Sequence, residues 1–184
     1  KGQKGLRLSA VNATARQFGL SPGQRLADAR AAVPDLLTES YEPEKDVASL
    51  LGLAQWMERY SPWVAPDGKD GLLLDSTGVS HLFGGEEQML KDIQKRLETY
   101  GFSTRTAVAE TIGAAWALAR FAGTLHQLPI EALRIDANSA RTLRRLGLKT
   151  IGALVSLPRA SLARRFRGES IHENVLLRLD ELDG

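Results

Sequence analysis

The chain has 184 residues, 43% of them hydrophobic and 25% charged, with a net charge of +2 and no cysteine. That composition excludes a disordered chain, and the lack of Cys excludes disulfides, thiolate catalysis and Cys-type zinc sites and points to a cytoplasmic home. No apolar run reaches membrane-spanning length, no signal-type apolar core follows Lys1, and the absence of an initiating Met reads as a piece of a longer protein.

In chain order, Leu6 to Asn12 alternates weakly and predicts a short strand leading into a helix over Asn12 to Phe18, stopped by Gly19. Ser21-Pro22-Gly23 is a turn, and a second short helix runs from Gln24 to Ala32 before Pro34. Asp46 to Tyr60 is a longer helix. Leu50, Leu53, Ala54, Met57 and Tyr60 recur at helical spacing and mark its inner face, and Ser61-Pro62 ends it. Trp63 and Val64 read as strand, and Pro66-Asp67-Gly68 as a turn.

Residues 70–85 are the stretch around which the rest is organised. Leu72, Leu73 and Leu74 form an apolar run too short for a helix, bounded by Gly71 and by the turn residues Asp75 to Gly78, which predicts a buried strand. Asp70 and Asp75 flank it. A carboxylate at the mouth of a strand can hold Mg²⁺, cap a neighbouring helix or stay solvated. Asp75 is expected to serve the turn at Ser76-Thr77-Gly78. Glu86 to Gly101 is an amphipathic helix with Met89, Ile93 and Leu97 inside and Lys91, Lys95 and Arg96 outside. Thr104 to Val108 predicts another strand, and Ala-rich Gly113 to Phe121 a helix that packs closely on a sheet. Strand, helix, strand, helix after Asp70 predicts an α+β unit with helices against a small sheet.

Composition turns basic beyond Gly123 to Pro129. Residues 134–178 hold ten Lys or Arg against three Asp or Glu, a local excess of +7 that leaves −5 for the remainder. A basic C-terminal third beside an acidic body suits either a polyanion partner or a solvated helical surface. Ile130 to Leu133 and Asn138 to Leu146 are short helices. Leu143 to Leu154 then reads as helix, glycine-bearing turn, helix. Gly147 is free to take positive φ, and Gly152 lets the backbone approach a neighbour closely. Backbone N–H groups near Thr150, with Lys149 beside them, form a site able to hold a phosphate without reading a base. Arg164, Arg165 and Arg167 form a second basic cluster.

These pieces, in this order and spacing, resemble Y-family (translesion) DNA polymerases over nearly the whole chain, and within them the ImuB-type branch of catalytically inactive homologues. Ala15 to Gly23 looks like the family's fingers motif, followed by Ala27-Asp28-Ala29-Arg30 and Val33-Pro34-Asp35-Leu36. Arg59-Tyr60-Ser61-Pro62 looks like the end of the helix before the catalytic strand, and Leu74-Asp75-Ser76-Thr77-Gly78 like the end of that strand. Tyr60 to Val64 and His81 to Gly85 look particular to the ImuB-type branch. The resemblance implies an α+β fold with polymerase-like fingers (1–42) and palm (43–123), then an all-α helix–hairpin–helix thumb (124–184), with the N-terminal palm strand missing.

The departures carry as much weight as the matches. The family holds two metal ions with an Asp on that N-terminal strand and a paired Asp-Glu, because both the attacking and the leaving oxygen need a cation. Counting back from Asp75 puts Asp70 at the pair's Asp and Gly71 at its Glu, and Gly71 has no side-chain oxygen. The family's nucleotide-binding Tyr-Glu-x-Arg becomes Ala13-Thr14-Ala15-Arg16, so Arg16 alone is left to meet a phosphate. The family lysine after the last palm strand falls near Trp116. The expected catalytic set is therefore degenerate, without metal or cofactor. The expected role is a DNA-binding adaptor in error-prone translesion synthesis and damage-induced mutagenesis in bacteria, cytoplasmic and nucleoid-associated. Expected DNA contacts are Gly147, Lys149, Thr150, Gly152, Arg164, Arg165 and Arg167. The resemblance also implies an error-prone replicative-type polymerase, a sliding clamp and a RecA-like accessory protein as partners, and no membrane. Two alternatives stay open: an active polymerase fragment using Mg²⁺, and a protein scaffold that does not bind DNA.

Overall fold

The computed structural model describes residues 5–158, 160 and 170–183. They fall into two compact units, Lys1–Leu53 and Ala54–Gly184.

In the first unit, α1 (Ala13–Gln17) starts where the Asn12 side chain accepts the Ala15 N–H at 2.8 Å. It ends at Gly19, whose φ of +77° lets the Leu20 N–H return to the Ala15 carbonyl at 3.1 Å. α2 (Leu26–Ala32) buries Ala29. The strand expected over Leu6 to Asn12 reduces to a single antiparallel bridge between Arg7 and Arg25. The reason is local: the turn at 21–23 folds residues 24–25 back beside it, and the chain then enters α2, leaving no extended partner. α3 (Pro43–Met57), whose residues from Ala54 on belong to the second unit, begins earlier than the apolar spacing indicates, because Pro43 suits a first helical position whose N–H is not needed. It stops at Met57, and Tyr60 lies in the following turn, its N–H on the Met57 carbonyl at 2.9 Å.

In the second unit, β1 (Val64–Asp67) and β2 (Gly71–Leu74) pair as an antiparallel hairpin, with Val64 opposite Leu74 and Asp67 opposite Gly71. The central strand is thus present but half-buried along its length rather than buried. A two-stranded sheet has too little area to cover both faces of a leucine run. Thr104 to Val108 is not a strand. It joins no ladder, and a strand exists only through ladder bonds. Within it the Thr106 hydroxyl is buried without a hydrogen-bond partner.

α4 (Glu86–Thr99) buries Met89, Ile93 and Leu97, as its periodicity requires. α5 (Ile112–Arg120) is capped by Thr111, whose Oγ1 accepts the Ala114 N–H and donates to the Leu182 carbonyl at 2.9 Å. Two 3-10 turns (Leu125–Gln127 and Ile130–Leu133) lead to α6 (Ala137–Arg145), α7 (Ile151–Val155) and α8 (Ser170–Asp183). One core runs through Ala114 and Ala117 of α5, Leu128, Ile130, Leu143, Ile151 and Leu154, and Val175, Leu179 and Leu182 of α8. Small side chains bring α5 and α8 together: a Cβ on Gly113 would sit 2.7 Å from the Glu181 carbonyl oxygen. No described helix is long and apolar enough to cross a membrane.

Candidate functional site

The tip of the β1–β2 hairpin carries two carboxylates. Asp67 closes β1 and Asp70 precedes β2, with Gly68 at φ +65° making the turn between them. Each carboxylate meets an arginine. Arg120, the last residue of α5, donates from Nη2 to Asp70 Oδ1 at 2.6 Å and from Nη1 to Oδ2 at 2.8 Å. Arg134 donates to Asp67 Oδ1 at 2.7 Å. The bidentate geometry holds the Asp70 carboxyl below the ordinary carboxylate range, and the same bonds raise the Arg120 guanidinium.

Trp116 organises the two cations. The guanidinium carbons of Arg120 and Arg134 lie 5.3 Å and 4.8 Å from its ring centroid. Arg120 follows Trp116 by one helical turn, so both project from the same face of α5. Arg134 ends the second 3-10 turn in the left-handed conformation, φ 59°, the one described non-glycine residue to do so. That costs on the order of 1 kcal/mol and is offset by the Asp67 pair and the indole. Sequence reasoning located Asp70, Gly71 and Trp116 but missed Asp67, Arg120 and Arg134. The spacing of Trp116 and Arg120 was a usable signal; the backbone of Arg134 had none.

This donor set does not fit a two-metal centre. Asp70 has both oxygens on a guanidinium, Gly71 offers no ligand, and no group of three or more His, Asp or Glu able to hold a metal forms among the described residues. A side chain at Gly71 also lacks room, since its Cβ would lie 2.8 Å from the Asp67 carbonyl oxygen. Asp75 behaves as expected: its Oδ1 accepts the Thr77 N–H at 2.9 Å, and hydrogen bonding from the Thr77 side chain and then its N–H lowers the Asp75 pKa. Arg16 is exposed on α1 in the first unit.

The second candidate surface is the helical hairpin α6–α7. Gly147 takes φ +83°, and the Leu148 N–H returns to the Leu143 carbonyl at 3.0 Å, so the turn closes α6 with a glycine cap. Thr150 caps α7 by accepting the Ala153 N–H at 3.3 Å. The Ile151 N–H goes to the Leu128 carbonyl at 2.9 Å. The close approach that Gly152 permits is internal: its Cβ would lie 2.9 Å from the His126 carbonyl oxygen. Lys149 is exposed. Arg164, Arg165 and Arg167 lie outside the described residues. Part of the basic excess is neutralised within the protein, through Arg134 to Asp67, Arg144 to Glu131 at 2.7 Å and 3.0 Å, and Arg178 to Glu181 at 2.5 Å.

Away from both surfaces, the Tyr60 hydroxyl donates to Asp92 Oδ2 at 2.6 Å, and its ring lies 5.1 Å from that of Phe83. Tyr60 and Phe83 come from the two segments that look particular to one branch of the family the sequence resembles. Burial, then the Asp92 carboxylate, pushes the Tyr60 phenol up to about 12.

Comparison with known proteins agrees with the resemblance. A protein-family model described as the impB/mucB/samB family matches residues 1–120. Protein ImuB from two Caulobacter vibrioides strains is 46% identical over 179 residues, covering 91% of this chain. The chain spans 38% of the length of those relatives. Among solved structures, DinB from Sulfolobus solfataricus matches with a TM-score of 0.72 and 18% identity over 95% of this chain and 56% of its own. An insertion ternary complex of Dbh DNA polymerase matches with a TM-score of 0.73 and 18% identity over 99% of this chain and 58% of its own. At that identity these structures show a shared fold.

Proposed function

This chain belongs to the impB/mucB/samB family of Y-family polymerase homologues, and from that premise we propose that it is a non-catalytic, DNA-binding part of a translesion-synthesis adaptor. The observation that carries the reading is the bidentate Arg120–Asp70 pair beside Gly71. Nucleotidyl transfer by Y-family enzymes relies on Mg²⁺ to neutralise charge on the triphosphate and the attacking oxygen. Here the carboxylate at the pair's first position is already neutralised by a guanidinium, its neighbour has no side chain, and Trp116, near which the family lysine would fall, lies against two arginines.

DNA contact is assigned to the helical hairpin around Lys149 and Thr150, with Gly147 shaping its turn and Gly152 packing internally, and the basic residues Arg164, Arg165 and Arg167 are expected to add to it. Phosphate contacts of this type carry charge without base readout, so binding is weak, sequence-tolerant and salt-dependent. By family resemblance the protein partners are an error-prone replicative-type polymerase, a sliding clamp and a RecA-like accessory protein, in a bacterial cytoplasmic setting. The test is a primer–template binding titration beside a nucleotide-incorporation assay in Mg²⁺ and in Mn²⁺. Binding without templated incorporation is expected. Incorporation above background would restore the active-polymerase reading, and absence of binding would leave a protein scaffold.

A further inference from the structure

We infer that the outward stripe of α6, Arg141 and Arg145, with Lys149 in the turn that follows, is the track on which the nucleic-acid phosphate backbone lies; this rests on the DNA-binding reading above and extends its contact from the start of α7 onto α6. Three observations lead there. At the start of α7 the Ile151 N–H is spent on Leu128, the Ala153 N–H on Thr150, and Gly152 is packed against His126. Two of the N–H groups near Thr150 thus serve the protein itself. On α6 itself, Ser139, Ala140 and Leu143 face the core, which leaves Asn138, Arg141 and Arg145 on the opposite side.

The third observation is the pattern of charge pairing. Arg144, on the flank of α6, is fixed by both oxygens of Glu131. Asp136, the acid nearest the stripe in sequence, is consumed as N-cap by the Asn138 and Ser139 N–H groups at 2.9 Å and 3.0 Å. Among the described residues, the exposed side chains of Arg141, Arg145 and Lys149 make no hydrogen bond or ion pair. On α6 and the turn after it, Arg144 is neutralised and these three are left open. Arg141 and Arg145 stand one helical turn apart, about 6 Å along the axis. Their planar forks match phosphate oxygens, which suits successive phosphates of one strand.

The test compares Arg141→Gln/Arg145→Gln with Arg144→Gln by titrating labelled duplex DNA from about 50 to 200 mM salt, each variant first checked by circular dichroism and thermal melting. The double variant should bind more weakly and flatten the slope of log affinity against log salt by about 2, whereas Arg144→Gln should leave the slope near that of the wild type. Arg141→Lys/Arg145→Lys should restore most of the slope, which a merely structural role for these positions would not require. Wild-type binding with an unchanged slope in the double variant would overturn the α6 track while leaving the DNA-binding reading intact. A wild type that bound no DNA would overturn both.

Discussion

The Asp70 carboxylate and the Arg120 guanidinium meet fork to fork, both oxygens on both terminal nitrogens, at 2.6 Å and 2.8 Å. A guanidinium is a fixed monovalent cation that cannot give up a proton in this pH range, and it arrives covalently tethered through α5. A divalent ion at Asp70 would have to displace it and would find Gly71 where a second ligand is needed. The charge balance of the site is therefore met by the protein itself.

Restoring the missing carboxylate alone should not restore chemistry. In Gly71→Glu the new Cβ meets the Asp67 carbonyl oxygen at 2.8 Å, a backbone atom in the paired strand, so the hairpin must shift. A loss of about 1–3 kcal/mol in stability is expected, typical of overpacking. A thermal melt should show the destabilisation, and a primer-extension assay no templated incorporation. A Mn²⁺-soaked crystal of the wild type with two ions bridged by Asp70 would contradict the whole account of the site.

The Asp70–Arg120 pair should leave a small acid-side signature. Hydrogen bonding to Arg120 places the folded pKa of Asp70 below its unfolded value. The stabilisation is therefore present above the ordinary carboxylate range and lost as pH falls through the folded value. Asp70 is 67% exposed, so solvent screening keeps the contribution below about 1 kcal/mol. In urea melts, Asp70→Asn should be slightly less stable than wild type near neutral pH, and the gap should close at strongly acidic pH. A gap that widened on acidification would reverse the assigned sign.

Tyr60 gives the opposite pH dependence. Its phenol is pushed up to about 12, chiefly by burial and then by the Asp92 carboxylate. Stability from the neutral phenol is complete below the ordinary tyrosine range near 10 and is lost as pH rises through about 12. Ultraviolet titration should show a phenol ionising at about 12, and Tyr60→Phe should delete that step. Loss of the hydroxyl should cost about 1 kcal/mol at neutral pH. A wild-type titration without that late step would show that Tyr60 is not held as described.

Much of this architecture was legible because helical periodicity and turn chemistry are local. Met89, Ile93 and Leu97 identified the buried face of α4, and Gly19 and Gly147 sit at helix ends with positive φ. Thr104 to Val108 was misread because alternation reports a tendency to extend, whereas a strand needs a partner elsewhere in the fold. The site was half legible. Gly71 was identified as offering no side-chain ligand, but the guanidinium on Asp70 comes from Arg120, fifty residues away, and no local pattern ties it to Asp70. Arg134 was still less accessible, since its reach to Asp67 depends on a left-handed backbone at a non-glycine residue.

The two hairpin glycines separate packing from phosphate approach. Gly147 has open space where a methyl group would point but takes φ +83°, so Gly147→Ala should cost about 1–2 kcal/mol through backbone strain alone. Gly152 has no such strain. Its hydrogen faces the His126 carbonyl oxygen, which a Cβ would approach to 2.9 Å, so Gly152→Ala should cost about 1–3 kcal/mol through overpacking against the first 3-10 turn. If Gly152 were there to admit a phosphate, its alanine variant would lose DNA affinity at temperatures where it remains folded. On the internal reading both variants melt earlier, and Gly152→Ala, measured well below its melting temperature, binds duplex DNA with the wild-type salt slope. A fully stable Gly152→Ala protein with impaired DNA binding would assign a phosphate contact to Gly152 itself.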